Sequence, residues 1–194
     1  TVDGAGNAWD LADTEVQKHA LERLDEEKPE VLVVSPPCTW FSSLMHWNVG
    51  KMEEQKVKEK LKEAMGHLAF AVMLCIRQAR SGRKFVLEHP ATASSWQTVL
   101  LNRLFREAGA GRVVFDFCML GMKSKDENGE FPARKRTGIM TNSQALIEGL
   151  PKFKCDASHR HVELTNGRAA ACRKYPDKFC EYVCRTVMKE KEAK

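Results

Sequence analysis

The chain has no apolar run near the roughly 18 residues that a membrane span needs, so no membrane partner is expected. Its first residues, Thr1-Val2-Asp3-Gly4, carry no charged segment followed by an apolar one, which leaves no secretory signal to read. They also lack a Met, and a cut piece of a longer chain is expected. There is no internal repeat and no low-complexity tract, which excludes a solenoid or a tail-like segment. An even, disulfide-type cysteine set is missing too. The seven cysteines, with no secretory signal, read as reduced thiols in an intracellular setting, nuclear or cytoplasmic. A strong excess of one charge is absent: 31 basic against 26 acidic residues leave a net charge of +5, which is compatible with a nucleic-acid partner but does not require one.

What is present is ordinary for a globular chain: 194 residues, 43% hydrophobic and 29% charged, enough for one domain with a real core. Residues 14–27 read as a helix with Val16, Ala20, Leu21 and Leu24 on one face and Thr14 at the N-cap. Val31-Leu32-Val33-Val34 reads as a strand buried on both faces, stopped by Ser35-Pro36-Pro37. Val57, Leu61, Met65, Leu68, Val72 and Ile76 predict a helix over 53–79, exposed at its start and buried at its end. Further strands are expected at 84–87, 112–118 and 136–142. A helix over 94–108 is expected to open on a capping box at Ser94-Ser95-Trp96-Gln97. A polar turn over 123–131 and a last helix over 177–189 complete the pattern. The alternation predicts an α/β three-layer sheet whose last two strands form a hairpin. Residues 1–145 read as the core, and 146–194 as a Cys/His-containing loop and helix packed on the same domain.

Ligands of open α/β sheets bind beyond the carboxyl ends of the strands. Cys38 lies four residues past Val34, and Glu88 directly follows Leu87, so neighbouring strands would bring a thiol and a carboxylate to one crevice. Pro36-Pro37 makes the Cys38 loop rigid. Further on, Cys155-x3-His159-x-His161 places soft ligands at short spacing, with Cys118 or Cys172 as a fourth. These suit structural zinc. Cys180 and Cys184, four apart on a helix, read as core residues.

The run Ser35-Pro36-Pro37-Cys38-Thr39-Trp40-Phe41-Ser42 resembles the Pro-Cys-x-x-Phe-Ser loop of cytosine-C5 DNA methyltransferases. Phe85-Val86-Leu87-Glu88 resembles that family's strand ending in Glu-Asn-Val. Gly121 with Pro132-Ala133-Arg134-Lys135-Arg136 resembles its Gly-x-Pro-Gln-x-Arg-x-Arg region, with a longer turn inserted. The three matches keep the family's order and span residues 31–142. Together with the Cys-x3-His-x-His that follows, the set is similar to methyltransferase-like domains of retroelement polyproteins.

The resemblance implies a Rossmann-like S-adenosylmethionine-dependent sheet, DNA as partner, and a target cytosine taken out of the duplex. Cys38 would be the nucleophile, Glu88 the acid at N3 and the exocyclic amine, and Arg134 or Arg136 the clamp on the base carbonyl or a phosphate. His89-Pro90 stands where the family has Asn-Val, and His89 is read as taking over the hydrogen bond that holds the cysteine loop. Trp9-Asp10-Leu11 resembles the step whose acid binds the cofactor's adenine; Asp10, Asp13 and Pro37 are the candidate cofactor residues. A Phe-x-Gly-x-Gly loop is missing before Asp10, so an N-terminal truncation is expected. Trp40 and Trp47 are candidates for packing against base or core, and Ser42 and Ser43 offer hydroxyls near the loop. Gly6-Asn7-Ala8 resembles a family motif at the wrong end and reads as chance. Two other readings stand beside this one. The first is a non-catalytic, zinc-stabilised nucleic-acid module. The second is an amino-group methyltransferase, whose Ser-Pro-Pro-aromatic loop Cys38 breaks.

Overall fold

The computed structural model describes residues 9–42, 45, 49–165 and 167–193; Ser43, Trp47 and the Gly6-Asn7-Ala8 stretch lie outside them. Helix α1 (Thr14–Glu27) starts one residue earlier in its capping than the sequence predicts. The Asp13 carboxylate, not Thr14, accepts the Glu15 N–H at 2.8 Å. Helix α2 (Glu54–Arg80) runs polar at first and becomes buried from Ala64 onward, where Leu68, Ala71, Val72, Cys75 and Ile76 meet the sheet.

Four strands form one mixed sheet in the order β1-β2-β6-β3. Strands β1 (Val31–Val34) and β2 (Lys84–Pro90) are parallel, with Val34 opposite Leu87. Strand β6 (Arg136–Thr141) is antiparallel to β2 and to β3 (Gly111–Asp116). It follows that β1, β2 and β3 point the same way and present their carboxyl ends along one side of the sheet. The expected polar turn is itself a hairpin, β4 (Lys123–Asp126) with β5 (Gly129–Pro132), closed by the two residues Glu127 and Asn128.

Period-two alternation divides the sheet's side chains between two cores. Phe85, Leu87 and Met140 pack against α2 and α3 (Val99–Glu107), while Val86, Val113, Phe115 and Ile139 pack against α4 (Gln144–Gly149) and α5 (Asp177–Glu192). The chain is thus a three-layer α/β structure, and α5 buries Phe179, Val183 and Val187 in the same core as the sheet.

Ser94–Gln97 is a 3₁₀ turn and not the first turn of α3. Its side chains are tied to β2: the Trp96 indole N–H donates to the Pro90 carbonyl at 2.8 Å, and Ser95 Oγ lies 2.6 Å from His89 Nδ1. Thr98 then caps α3 through the Leu101 N–H.

Candidate functional site at the carboxyl ends of the strands

The Cys38 loop leaves the end of β1 and is pinned from β2. His89 is 1% exposed. Its Nε2–H donates to the Pro36 carbonyl at 2.9 Å, two residues before Cys38, while its Nδ1 accepts from the Ser95 hydroxyl. The ring is therefore neutral, and burial holds its pKa down to about 4. This is the loop-holding hydrogen bond expected of His89. Phe41 packs tilted against the same imidazole, and Trp40 packs against the α2 core.

Strand β2 does not end at Leu87: it continues through Pro90, so Glu88 lies within the strand and is 5% exposed. Its carboxylate meets two groups. The Tyr175 hydroxyl donates to Oε2 at 3.3 Å and is itself hydrogen-bonded to Ser35 Oγ at the root of the Cys38 loop. The Lys135 ammonium stands 3.5 Å from Oε1. Oε1 is buried and has no hydrogen-bond partner among the described residues. Burial and the Glu88 charge push the Cys38 thiol up, against a smaller downward pull from Lys135. Burial and Glu88 push the Tyr175 phenol up as well.

The arginines expected to clamp the base or a phosphate do not touch Glu88. Arg134 pairs with Asp116, Nε to Oδ1 at 3.4 Å, and Arg136 is exposed at the start of β6. Lys135, between them, is the cation beside Glu88. Its ammonium also sits over the rings of Phe117 and Tyr175, 5.3 and 5.8 Å from their centroids. Tyr175, Lys135 and Ser35 are thus the site residues that motif reading passed over. Lys135 and Ser35 lie inside the quoted motifs, but nothing in the sequence marks Tyr175.

At the same end of the sheet, just past β3, Cys118, Cys155, His159 and His161 bring one ligand atom each within 4.8 Å of one another. Cys155 Sγ lies 3.4 Å from His161 Nε2 and 3.8 Å from His159 Nε2. Ligands held about 2.0–2.3 Å from one ion at tetrahedral angles stand about 3.3–3.8 Å apart, so a small contraction would close this set on a metal. The backbone is shaped for it: Ala157 takes a left-handed φ of 63°, and its N–H points at Cys155 Sγ at 3.3 Å. Burial and the neighbouring Cys155 push the Cys118 thiol up to about 12. Of the two candidates for a fourth ligand, it is Cys118 whose sulfur lies with the other three ligand atoms. Cys172 lies apart, with its Sγ 4.0 Å from the Lys123 carbonyl oxygen. Cys180 and Cys184, expected in the core, are exposed on α5.

No protein-family model, curated protein or solved structure matches this chain.

The candidate cofactor residues lie on the other side of the Cys38 loop. Trp9 and Leu11 border a cavity of about 370 Å³ that extends past Leu32, Val34 and Phe70 to Pro36 and Pro37. The carboxylates between and beyond them serve the backbone locally. Asp10 Oδ1 accepts the Ala12 N–H at 3.0 Å, and Asp13 caps α1. No described helix is long and apolar enough to cross a membrane.

Proposed function

We propose that the chain carries the base-modifying half of a cytosine-C5 DNA methyltransferase-type site, with Cys38 as nucleophile and Glu88 as the acid that holds the target ring. The carrying observation is the pairing of a pinned thiol loop with a buried carboxylate on adjacent parallel strands, with one carboxylate oxygen unsatisfied. Oε1 has the Lys135 ammonium as an ion-pair neighbour at 3.5 Å but no hydrogen bond, so a ligand donor would complete its satisfaction. The amidine edge of cytosine offers an amine N–H for it. The Cys38 thiolate would add to C6, its electron pair moving through the ring toward N3, where a proton from the Glu88 carboxyl is received. Carbon 5 would then take the methyl group. Loss of the C5 proton to solvent, expulsion of the thiolate and return of the N3 proton to Glu88 would restore the ring. Lys135 would steady the Glu88 carboxyl and the charge that builds beside it.

S-adenosylmethionine would supply the methyl group when bound. The cavity beside Pro37 fits its adenosyl end: it is mostly apolar, has Trp9 at its rim, and falls within the roughly 300–1,000 Å³ of small-molecule sites. Among the described residues no glycine-rich turn lines it for the charged methionine end.

For the Cys/His cluster we infer zinc, because two thiolates and two imidazoles in a four-ligand set suit that ion and leave no position open for chemistry. A second reading, a zinc-stabilised module that binds nucleic acid without modifying it, is favoured by the raised Cys38 thiol, since only the thiolate attacks.

Trapping separates the two. A duplex with 5-fluorocytosine, plus cofactor, is expected to give a covalent adduct on Cys38 that the Cys38→Ser variant does not form. DNA binding without an adduct would favour the non-catalytic module. One zinc per chain by elemental mass spectrometry is expected; a metal-free protein of unchanged stability would sink the zinc assignment.

A further inference from the structure

The Cys/His cluster and the Glu88 crevice are joined by one short segment, residues 132–136. The Pro132 carbonyl accepts the N–H of Val162, the neighbour of His161, at 2.9 Å, and Ala133 pairs with Val162 in an isolated bridge. The Lys135 carbonyl accepts the N–H of Phe117, the neighbour of Cys118, at 3.1 Å. Asp116 links the two sides most directly. It is 0% exposed; its Oδ2 accepts the Cys155 N–H at 3.0 Å and its Oδ1 accepts from Arg134 at 3.4 Å. Three of the four cluster residues therefore touch this segment through one intermediate. At its far side the same segment sets Lys135 against Glu88.

The loop that carries Cys155, His159 and His161 is held by side chains, the Arg160–Asp126 ion pair at 2.7 Å and buried Val162, more than by backbone pairing. Between Phe153 and Arg168 its one regular backbone pairing among the described residues is the bridge at Val162. An ion shared by four side chains would add a covalent-like tie to this backbone-poor loop, and carboxylates behind metal ligands commonly transmit such order.

We propose that metal bound at the Cys118–Cys155–His159–His161 cluster fixes residues 132–136, so that Lys135 stands beside Glu88 in the loaded protein, with Asp116 as the positioning residue between them. This rests on the cluster being a metal site. A lysine delivered to the crevice by a metal-held loop makes occupancy of one site a condition for the electrostatics of the other.

The test uses the full chain loaded with zinc, stripped with a chelator, and reloaded. Hydrogen exchange at residues 133–137 is expected to speed up about tenfold or more on stripping and to recover on reloading, while β1 and the buried half of α2 stay protected. Alkylation of Cys38, followed peptide by peptide by mass spectrometry, is expected to slow about threefold as Lys135 leaves. Asp116→Asn should keep one zinc per chain yet give the stripped values in both measurements, because one amide oxygen cannot serve Cys155 and Arg134 together. Stoichiometric zinc with unchanged exchange and alkylation on stripping would overturn this inference alone. Failure to bind zinc at all would overturn the metal reading and the inference with it.

Discussion

Lowering the pH from 7 to 4 tests the pin on the Cys38 loop. His89 is neutral and buried in the folded chain, where its pKa is held down to about 4 from an ordinary 6.5. Above pH 6.5 neither the folded nor the unfolded chain protonates it, so its contribution to stability is fully present. As the pH falls from 6.5 toward 4, the unfolded chain takes up a proton that the folded chain refuses. Stability is then lost at up to about 1.4 kcal/mol per pH unit, or about 3 kcal/mol over the interval. Carboxylates titrate in the same range, so the informative quantity is the difference between wild type and His89→Gln, which keeps an amide donor for the Pro36 carbonyl but has no proton to gain. At pH 7 the variant should be less stable by about 2 kcal/mol, from lost packing against Phe41 and Trp96 and the lost Ser95 hydrogen bond. By pH 4 that gap should close or reverse. Urea unfolding followed by tryptophan fluorescence gives both curves. A gap that stays constant between pH 7 and 4 would refute the assignment of His89 as a buried neutral pin.

Other perturbations test the site and its frame. Glu88→Gln removes the charge that pushes the Cys38 thiol up, so the pH profile of Cys38 alkylation should move to lower pH; an unmoved profile would refute that electrostatic coupling. Gly138→Ala should cost about 1–3 kcal/mol by overpacking, because a Cβ there would lie 2.9 Å from the Trp96 ring, itself stacked under Arg112; a neutral effect in thermal unfolding would contradict that close approach. Glu190→Ala should cost about 3 kcal/mol by stranding Lys84, whose side chain is 15% exposed and whose ammonium is 2.8 Å from Glu190; a loss below about 0.5 kcal/mol in urea unfolding would mean that α5 is held by its apolar face alone.

The elements that carry an apolar period were readable in advance. α2 declares itself through Leu68, Val72 and Ile76, and β1 through four consecutive apolar residues. But β1 is not the strand buried on both faces that this run suggests: it is the sheet's edge, half-buried, with Val33 exposed, because only β2 pairs with it among the described residues. The extension of β2 was not readable, because Glu88 and His89 break the hydrophobic pattern; they are buried only because β6 pairs alongside them, with Glu88 opposite Ile139. The cluster ligands on the loop share a short spacing, so three were legible together. The choice of Cys118 over Cys172 depends on where the end of β3 lies, which is a tertiary fact. The same holds for the basic run. Which of Arg134, Lys135 and Arg136 faces the crevice follows from the Ala133–Val162 bridge and the Phe117–Lys135 hydrogen bond, and both are set by chain segments far away in sequence. Tyr175 reaches Glu88 across 87 residues, beyond any local motif.

The raised Cys38 thiol, taken alone, argues for an idle cysteine, but the cause of the shift matters more than its sign. One part is the Glu88 charge, which exists only while that carboxyl is ionised and facing the crevice. Under the proposed reading, a bound ring that engages Glu88 while it is protonated removes that charge and leaves Lys135 as the nearest opposing influence. The thiolate then becomes easier to form when the target is present. In the free protein Cys38 stays a thiol, which slows its oxidation, since thiolates react faster than thiols. An idle cysteine would show no such dependence. If Cys38 is only filler, adding a cytosine-containing single strand should leave its alkylation rate unchanged apart from simple shielding. If it is the nucleophile, a cytosine-containing strand that engages Glu88 should raise that rate in the wild type toward the level that Glu88→Gln reaches without DNA.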